Sequence, residues 1–522
     1  MLRLFIHLNG WKTFRYSVAL LTMSFHDIGN AAQARVLGQV SVPINILRQS
    51  PGANEDIVTI TAVGGNKRIV LRERPDIAIQ PYPLPLFFNL LEMGSARIFG
   101  DGRRCAIEHA AGTTQLLCQP GNSISGARLV FSGHRLPTGA AIDMRVWARA
   151  GTGFAAEVTA QGADADSPQT LRLGMTRLAL PDLPGGSSPQ LVLIAPEEGG
   201  TLDLTRLELV ASASRPGVDE VSAWAWNPAL WQGDPAPLIA SAVQRRIRRL
   251  FVTLDVEDGK VRHVAALRRF VRAAARSGIE VEAVEGDPHM VLASGLPAAL
   301  ARARAFTAYQ QTAGEHEKLA GLQYDVEPYV LPEWGKEPAT YKGWADAILQ
   351  LSHAAREPVD LVLPFRLIEL AQGRELLRRT KAAVRGVTIM SYRTQASSLA
   401  QIAEPFLAWG TREGKPIRLA LEAGPIEDEV EQVYREAPFG TLAVLPGSQP
   451  QILILEKPSA IAGARMFRAQ LPETVRGDRI SFLGEEARMM EMARRTTPAF
   501  SSWPSFAGFA LHGLEWPISQ GR

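Results

Sequence analysis

At 522 residues the chain is too long for one ordinary core, so two or three domains are expected. A formal net charge of +3, with 56 basic against 53 acidic residues and no long run of either, gives no electrostatic footprint for nucleic acid. Cys105 and Cys118 are the only cysteines; with no CxxC or His-rich spacing they do not read as a zinc site, and a disulfide and two free thiols both stay open.

Arg3, Lys12 and Arg15 precede an apolar run at 16–25, and Ala32-Gln33-Ala34 then supplies the small-x-small pattern that signal peptidase reads. Residues 1–34 are therefore expected to be a signal peptide, leaving a mature chain that is periplasmic or secreted, where a bridge between the cysteines would persist. Roughly ten apolar residues fall short of the roughly 20 that span a bilayer, and no later segment is longer, so no stable membrane insertion is expected.

From 35 to 214 the sequence runs in short alternating, β-branched stretches broken by Gly, Pro, Asn and Asp, clearest at 57–63, 67–71, 127–131, 141–148, 190–194 and 202–210. Strands at this spacing without helical patterns between them predict a β-sandwich. Its end, a Pro-Glu-Glu-Gly-Gly turn followed by Leu202-Asp203-Leu204-Thr205-Arg206-Leu207-Glu208-Leu209, resembles the closing hairpin of jelly-roll carbohydrate-binding modules. A spacer sandwich without a ligand is the plainer alternative.

After the Ser-Arg-Pro-Gly stretch at 214–217, strands alternate with amphipathic helices over 218–522. The strands fall at 221–226, 250–255, 279–285, 319–327, 359–364, 386–392, 417–422 and 506–513, with helices near 237–249, 261–277 and 296–312. Eight such units predict a parallel (β/α)8 TIM barrel, with a strand pair at 441–444 and 451–455 as an insertion before the last unit. No glycine-rich phosphate loop opens any unit, so a nucleotide enzyme is disfavoured and no cofactor is expected.

The working groups of such a barrel sit at the C-terminal ends of its strands. Those ends supply Trp226, Asp255, Glu285, Asp325 with Glu327, Tyr392 with Arg393, Glu422, and His512 with Trp516. Acids move protons and flat rings stack on pyranose faces, so the combination points to a polysaccharide or oligosaccharide partner. Strand alternation is expected to place Gln323, Asp325 and Glu327 on one face, consecutive members roughly 6.5 to 7 Å apart. Two acids buried together raise the pKa of one, which keeps a carboxyl protonated for general acid catalysis; a structural ion pair or a solvated strand end is the alternative.

Ala320-Gly321-Leu322-Gln323-Tyr324-Asp325-Val326-Glu327 resembles the fourth-strand motif of the chitinase-type glycosidases of glycoside hydrolase family 18, Asp-Gly-x-Asp-x-Asp-x-Glu. Met390-Ser391-Tyr392 is similar to that family's sixth-strand Met-x-Tyr, and Trp516 to its closing-strand tryptophan. The resemblance implies Glu327 as proton donor and Asp325 as the residue that orients the substrate's N-acetyl group, with Ala320 and Gln323 standing where the family has acids. Glu422 ends the seventh strand, where retaining glycosidases place a nucleophile; that role and a structural or hydroxyl-binding one both stay open. Asp255, Glu285, Gln323, Arg393, Trp226 and Trp516 complete the expected substrate-binding set, while His289 and His512 are single histidines with no partner visible in the sequence. No Gly-x-Ser-x-Gly elbow occurs, which argues against an esterase. The expected activity is an exported glycoside hydrolase; the rival is a catalytically silent barrel that binds polysaccharide during secretion or assembly.

Overall fold

The computed structural model describes residues 36–40, 55–62, 67–72, 81–110, 112–183, 187–212, 220–331, 333–445, 451–471 and 473–517. The expected signal at 1–34 and the composition break at 214–217 lie outside the described residues.

The N-terminal half forms the expected β-sandwich of two five-stranded antiparallel sheets. One runs in the order Gly174–Leu178, Ile142–Ala150, Gly200–Ala211, Thr113–Cys118, Cys105–Ala110; the other runs Gln169–Thr170, Ala155–Ala160, Pro189–Ile194, Gly126–Val130, Ser95–Phe99. Alternation does the sorting: Met144, Val146 and Ala148 turn inward against Leu191, Leu193, Leu202 and Leu204. Cys105 and Cys118 lie opposite each other on adjacent strands and are disulfide-bonded.

Two expected sandwich strands belong elsewhere. Glu55–Ala62 and Lys67–Arg72, the stretches read at 57–63 and 67–71, join Val36–Val40 in a separate sheet whose other strands, Glu429–Glu436, Gly440–Leu445, Gln451–Ser459, Arg465–Ala469 and Glu473–Val475, lie far downstream. An alternating strand specifies which face is buried but not which strand it pairs with. The expected insertion pair is present as two members of this sheet.

The second half is a closed parallel barrel of eight strands: β1 (Val221–Ala225), β2 (Ile247–Thr253), β3 (Glu280–Glu285), β4 (Leu322–Tyr324), β5 (Val359–Pro364), β6 (Val384–Met390), β7 (Ile417–Glu422) and β8 (Phe506–His512). Helices Ala236–Gln244, Val264–Arg276, Leu296–Thr312, Tyr341–Ala355, Ala371–Thr380, Ala396–Glu413 and Glu486–Phe500 return the chain between strands. The strand-rich insertion therefore opens directly after β7 and closes before the helix that leads into β8.

Inside the barrel, Trp224, Phe251, Val284, Val362, Ala420 and Ala510 pack as one layer. Beneath it lies an ionic floor. Glu282, fully buried, accepts from Arg249 at 2.7 Å and from Arg385 at 2.5 Å, while Asp360 accepts from Arg385 at 3.0 and 3.1 Å. Burial, then the neighbouring Asp360, pushes the Glu282 carboxyl up to about 7 against the pull of these arginines. Gly321 leaves the room that the Arg385 guanidinium occupies; a Cβ there would collide with it. The motif glycine thus serves the floor.

The sandwich docks on the barrel through a buried acid. Arg135 grips Glu404, on Ala396–Glu413, at 2.5 and 2.9 Å; Thr138 donates its backbone N–H to the same carboxylate at 2.6 Å, and Trp503 donates its indole N–H to the Thr138 carbonyl at 2.9 Å. No helix among the described residues is long and apolar enough to cross a membrane.

Candidate active site

The C-terminal ends of β1, β4, β6, β7 and β8 converge on one mouth. The chain leaves β4 after Tyr324, earlier than expected, and Pro328, which has no backbone N–H to give to a ladder, starts the single turn Pro328–Val330. Gln323 faces inward. Its side chain is fully buried, accepts the Trp224 indole N–H at 2.8 Å and donates to Thr388 Oγ1 at 3.3 Å, so it is a crossbar of the barrel interior below the mouth.

Asp325 is next on that side. Its Oδ1 is buried without a hydrogen-bond partner, and burial, reinforced by the Glu327 charge, pushes its carboxyl up to about 7 although His512 pulls the other way. Glu327 is half-buried and accepts a hydrogen bond from the Tyr329 hydroxyl. Tyr329 is fixed by an aromatic group, its ring 6.1 Å from Trp344 and 6.5 Å from Trp334.

Tyr392 follows β6 into the same mouth. Burial raises its phenol well above the ordinary tyrosine range, and the charges of Glu422, Asp325 and Glu327 raise it further, so it stays a hydroxyl donor at any working pH. Its ring stacks on His512 at 6.3 Å.

Glu422 is buried and both its oxygens are occupied. His512 Nδ1 lies 2.6 Å from Oε2, and the Gly424 backbone N–H donates to Oε1 at 2.6 Å. Gly513 follows β8 with φ +70°, where a Cβ would collide with Glu422 Oε1, so the turn requires glycine. Burial lowers the His512 pKa, but Glu422, then Asp325 and Glu327, outweigh it and leave the net shift upward.

The remaining expected ligands divide. Trp226 is half-buried at the mouth and donates its indole N–H to His512 Nε2 at 3.1 Å. Trp516 donates to the Trp224 carbonyl at 2.8 Å and carries the Arg245 guanidinium 5.3 Å from its ring. Arg393 stands over the Phe365 ring at 5.1 Å, beside Tyr392. Asp255, just after β2, accepts from Gln232, at the end of the short helix Ala229–Gln232 that follows β1, at 2.9 Å. Glu285 departs from expectation: odd-numbered residues of β3 face the helices, and it forms an ion pair with Arg302 on Leu296–Thr312. His512, a histidine without a visible partner in the sequence, is the hub of the mouth, and Tyr329 is a second site residue that the sequence pattern does not single out. Tyr329 carries a local signal, since Glu327-Pro328-Tyr329 places a ring two residues beyond the acid. His512 is legible only as a residue at the end of a barrel strand, because its partners are distant in the chain.

No protein-family model matches the chain, and no curated protein matches its sequence. Solved structures similar to it include the Bacillus cereus spore cortex-lytic enzyme SleL, at 12% identity over 62% of this chain and 76% of that one, with a TM-score of 0.33. The Podospora anserina GH26-CBM35 beta-(1,4)-mannanase aligns at 11% identity over 82% and 94%, with a TM-score of 0.29. The GH18 chitinase ChiB from the chitin utilization locus of Flavobacterium johnsoniae aligns at 11% over 58% and 88%, with a TM-score of 0.27. The likeness is distant and recurs among glycoside-hydrolase-type folds that combine a barrel with sheet domains.

Proposed function

We propose that the chain is an exported glycoside hydrolase that cleaves a polysaccharide at the barrel mouth, with Glu327 as the general acid. The observation that carries this reading is the gathering of three acids at one mouth, Glu422 bound to His512, Glu327 bound to Tyr329 and Asp325 with a buried oxygen that has no partner, beside the Tyr392 ring stacked on His512. Glu327 is half-buried and able to reach a glycosidic oxygen, and the Tyr329 hydroxyl fixes one of its oxygens. Asp325 keeps a buried oxygen without a partner, suited to accept an N–H or O–H from the reacting sugar and to stabilise positive charge developing there. Glu422, occupied on both oxygens, supports a role as the charge that holds His512, which favours an attacking group on the substrate itself over a covalent enzyme intermediate.

The test is hydrolysis of a panel of N-acetylated and unacetylated polysaccharides by the full-length protein. Wild type should cleave an N-acetylated member, and Glu327→Gln should lose roughly 10² to 10⁴ of that rate while retaining binding. Full activity in Glu327→Gln would remove the assignment. A second reading, a binder without turnover, draws on Gln323, which puts a neutral amide where the resembling motif has an acid; measurable affinity without cleavage of any panel member would favour it.

A further inference from the structure

Three side chains from three strands of the mouth form a chain of contacts, and their joint role rests on reading Trp226 as a ring of that sugar site. Glu422, ending β7, lies 2.6 Å from Nδ1 of His512, ending β8; Nε2 of the same ring receives the Trp226 indole N–H at 3.1 Å from the end of β1. An indole N–H can only donate, so the Nε2 that receives it carries no proton, and the one ring proton sits on Nδ1 facing the carboxylate. The imidazole has little freedom to turn. Tyr392 stacks on it at 6.3 Å, Trp224 meets it edge-on at 5.6 Å, and Gly424 fixes the other oxygen of Glu422.

We propose that His512 is a positioning residue which, while neutral, latches Trp226 as the sugar-facing ring of the mouth, and that protonation at Nε2 releases the indole. A protonated Nε2 would set N–H against N–H, so the latch and the charge are mutually exclusive. The groups facing His512 are Glu422 from β7, Asp325 and Glu327 from the turn after β4, Tyr392 from the end of β6, and the neutral Trp224 and Trp226 from β1. Burial disfavours the imidazolium, but the three acids together outweigh it, so release is expected at or above the ordinary histidine range. The ring is latched at alkaline pH and free toward acid.

The experiment needs no sugar. In full-length protein with isotope-labelled tryptophan, the indole N–H resonance that disappears in Trp226→Phe is followed from about pH 9 to about pH 5, through the range where a histidine titrates. In wild type it should shift through a single-proton transition. In His512→Gln, whose amide carbonyl can accept the indole and whose amide N–H can donate to Glu422, it should remain at the bonded position at every pH. In His512→Phe it should sit at the released position throughout. A transition in His512→Gln with the wild-type midpoint, or no response to pH in the wild type, would overturn the proposal. His512→Gln alone decides it should His512→Phe fail to fold. Absence of hydrolysis would leave the latch standing, and a pH-independent indole would leave the hydrolase reading standing.

Discussion

Trp224 and Gln323 meet across the barrel interior, the indole N–H of one donating to the amide carbonyl of the other at 2.8 Å. Both side chains are buried, so neither group can turn to water instead. Gln323→Leu should therefore cost roughly 1–3 kcal/mol by leaving the indole unpaired, read as a lower midpoint in denaturant at unchanged slope. A Gln323→Leu protein as stable as wild type would mean that the crossbar contributes nothing.

Asp325→Asn should separate stability from activity. The folded-state pKa, about 7, is raised above the ordinary aspartate value, so the native state prefers the protonated form. Its contribution to stability is fully present below about pH 4 and is lost as pH rises through about 7. Wild type and Asp325→Asn should melt together near the acid end of that window, and the variant should melt higher above it, while its turnover falls. A constant difference in melting temperature across the window would contradict the assignment.

At Glu422 the outcome discriminates between mechanisms. With a carboxylate that only holds His512, Glu422→Gln should lose less rate than Glu327→Gln, and added azide should produce no glycosyl azide. Equal losses at the two positions, with an azide product, would make Glu422 the nucleophile.

Arg135→Ala tests the docking of sandwich on barrel. It strips the grip from a carboxylate whose side chain is only 3% exposed, and removing one partner of such a pair costs roughly 3 kcal/mol or more. The expected readout is a lower first transition on heating, with the barrel melting separately. A single unshifted transition would show that the ion pair does not couple the halves.

The mature chain is expected to begin near Arg35, because Ala32-Gln33-Ala34 ends the signal pattern. Mass spectrometry of protein recovered from the exported fraction of a producing host checks this. Retention of residues 1–34 there would remove the argument for cleavage.

The barrel is legible in the sequence because each strand-helix unit carries its own period. Residues 359–364 and 417–422 read as buried strands from a few neighbours alone, and β5 and β7 span those residues. The face a residue takes at a strand end is not legible in the same way: Glu285 is one position from turning inward, and one residue is enough to send a side chain to the opposite side of a sheet. Asp325 and Glu327 stand out because they lie two apart at a strand end. The His512 contacts to Trp226 and Glu422 join β8 to β1 and β7, and nothing near any of the three residues marks the others.

The separate sheet imposes an order of events on the chain. Lys67 lies opposite Val430, and Val40 opposite Ile452, so although Glu55–Ala62 and Lys67–Arg72 pair with each other, Val36–Val40 and the outer edge of Lys67–Arg72 meet their partners only after β1 to β7 have been made. Until then Val36–Val40 has no ladder to join and one edge of Lys67–Arg72 stays unpaired, and pairing of such long sequence separation is intrinsically slow. The sandwich can close on its own residues in the meantime. The insertion's strands likewise pair among themselves, but the sheet is complete only when Lys67–Arg72 adds beside Glu429–Glu436 and Val36–Val40 beside Gln451–Ser459. Completion of this sheet is thus the step at which segments on either side of the sandwich and most of the barrel must be present together, and a chain truncated before Gln451–Ser459 would leave Val36–Val40 with neither edge paired and available to other molecules.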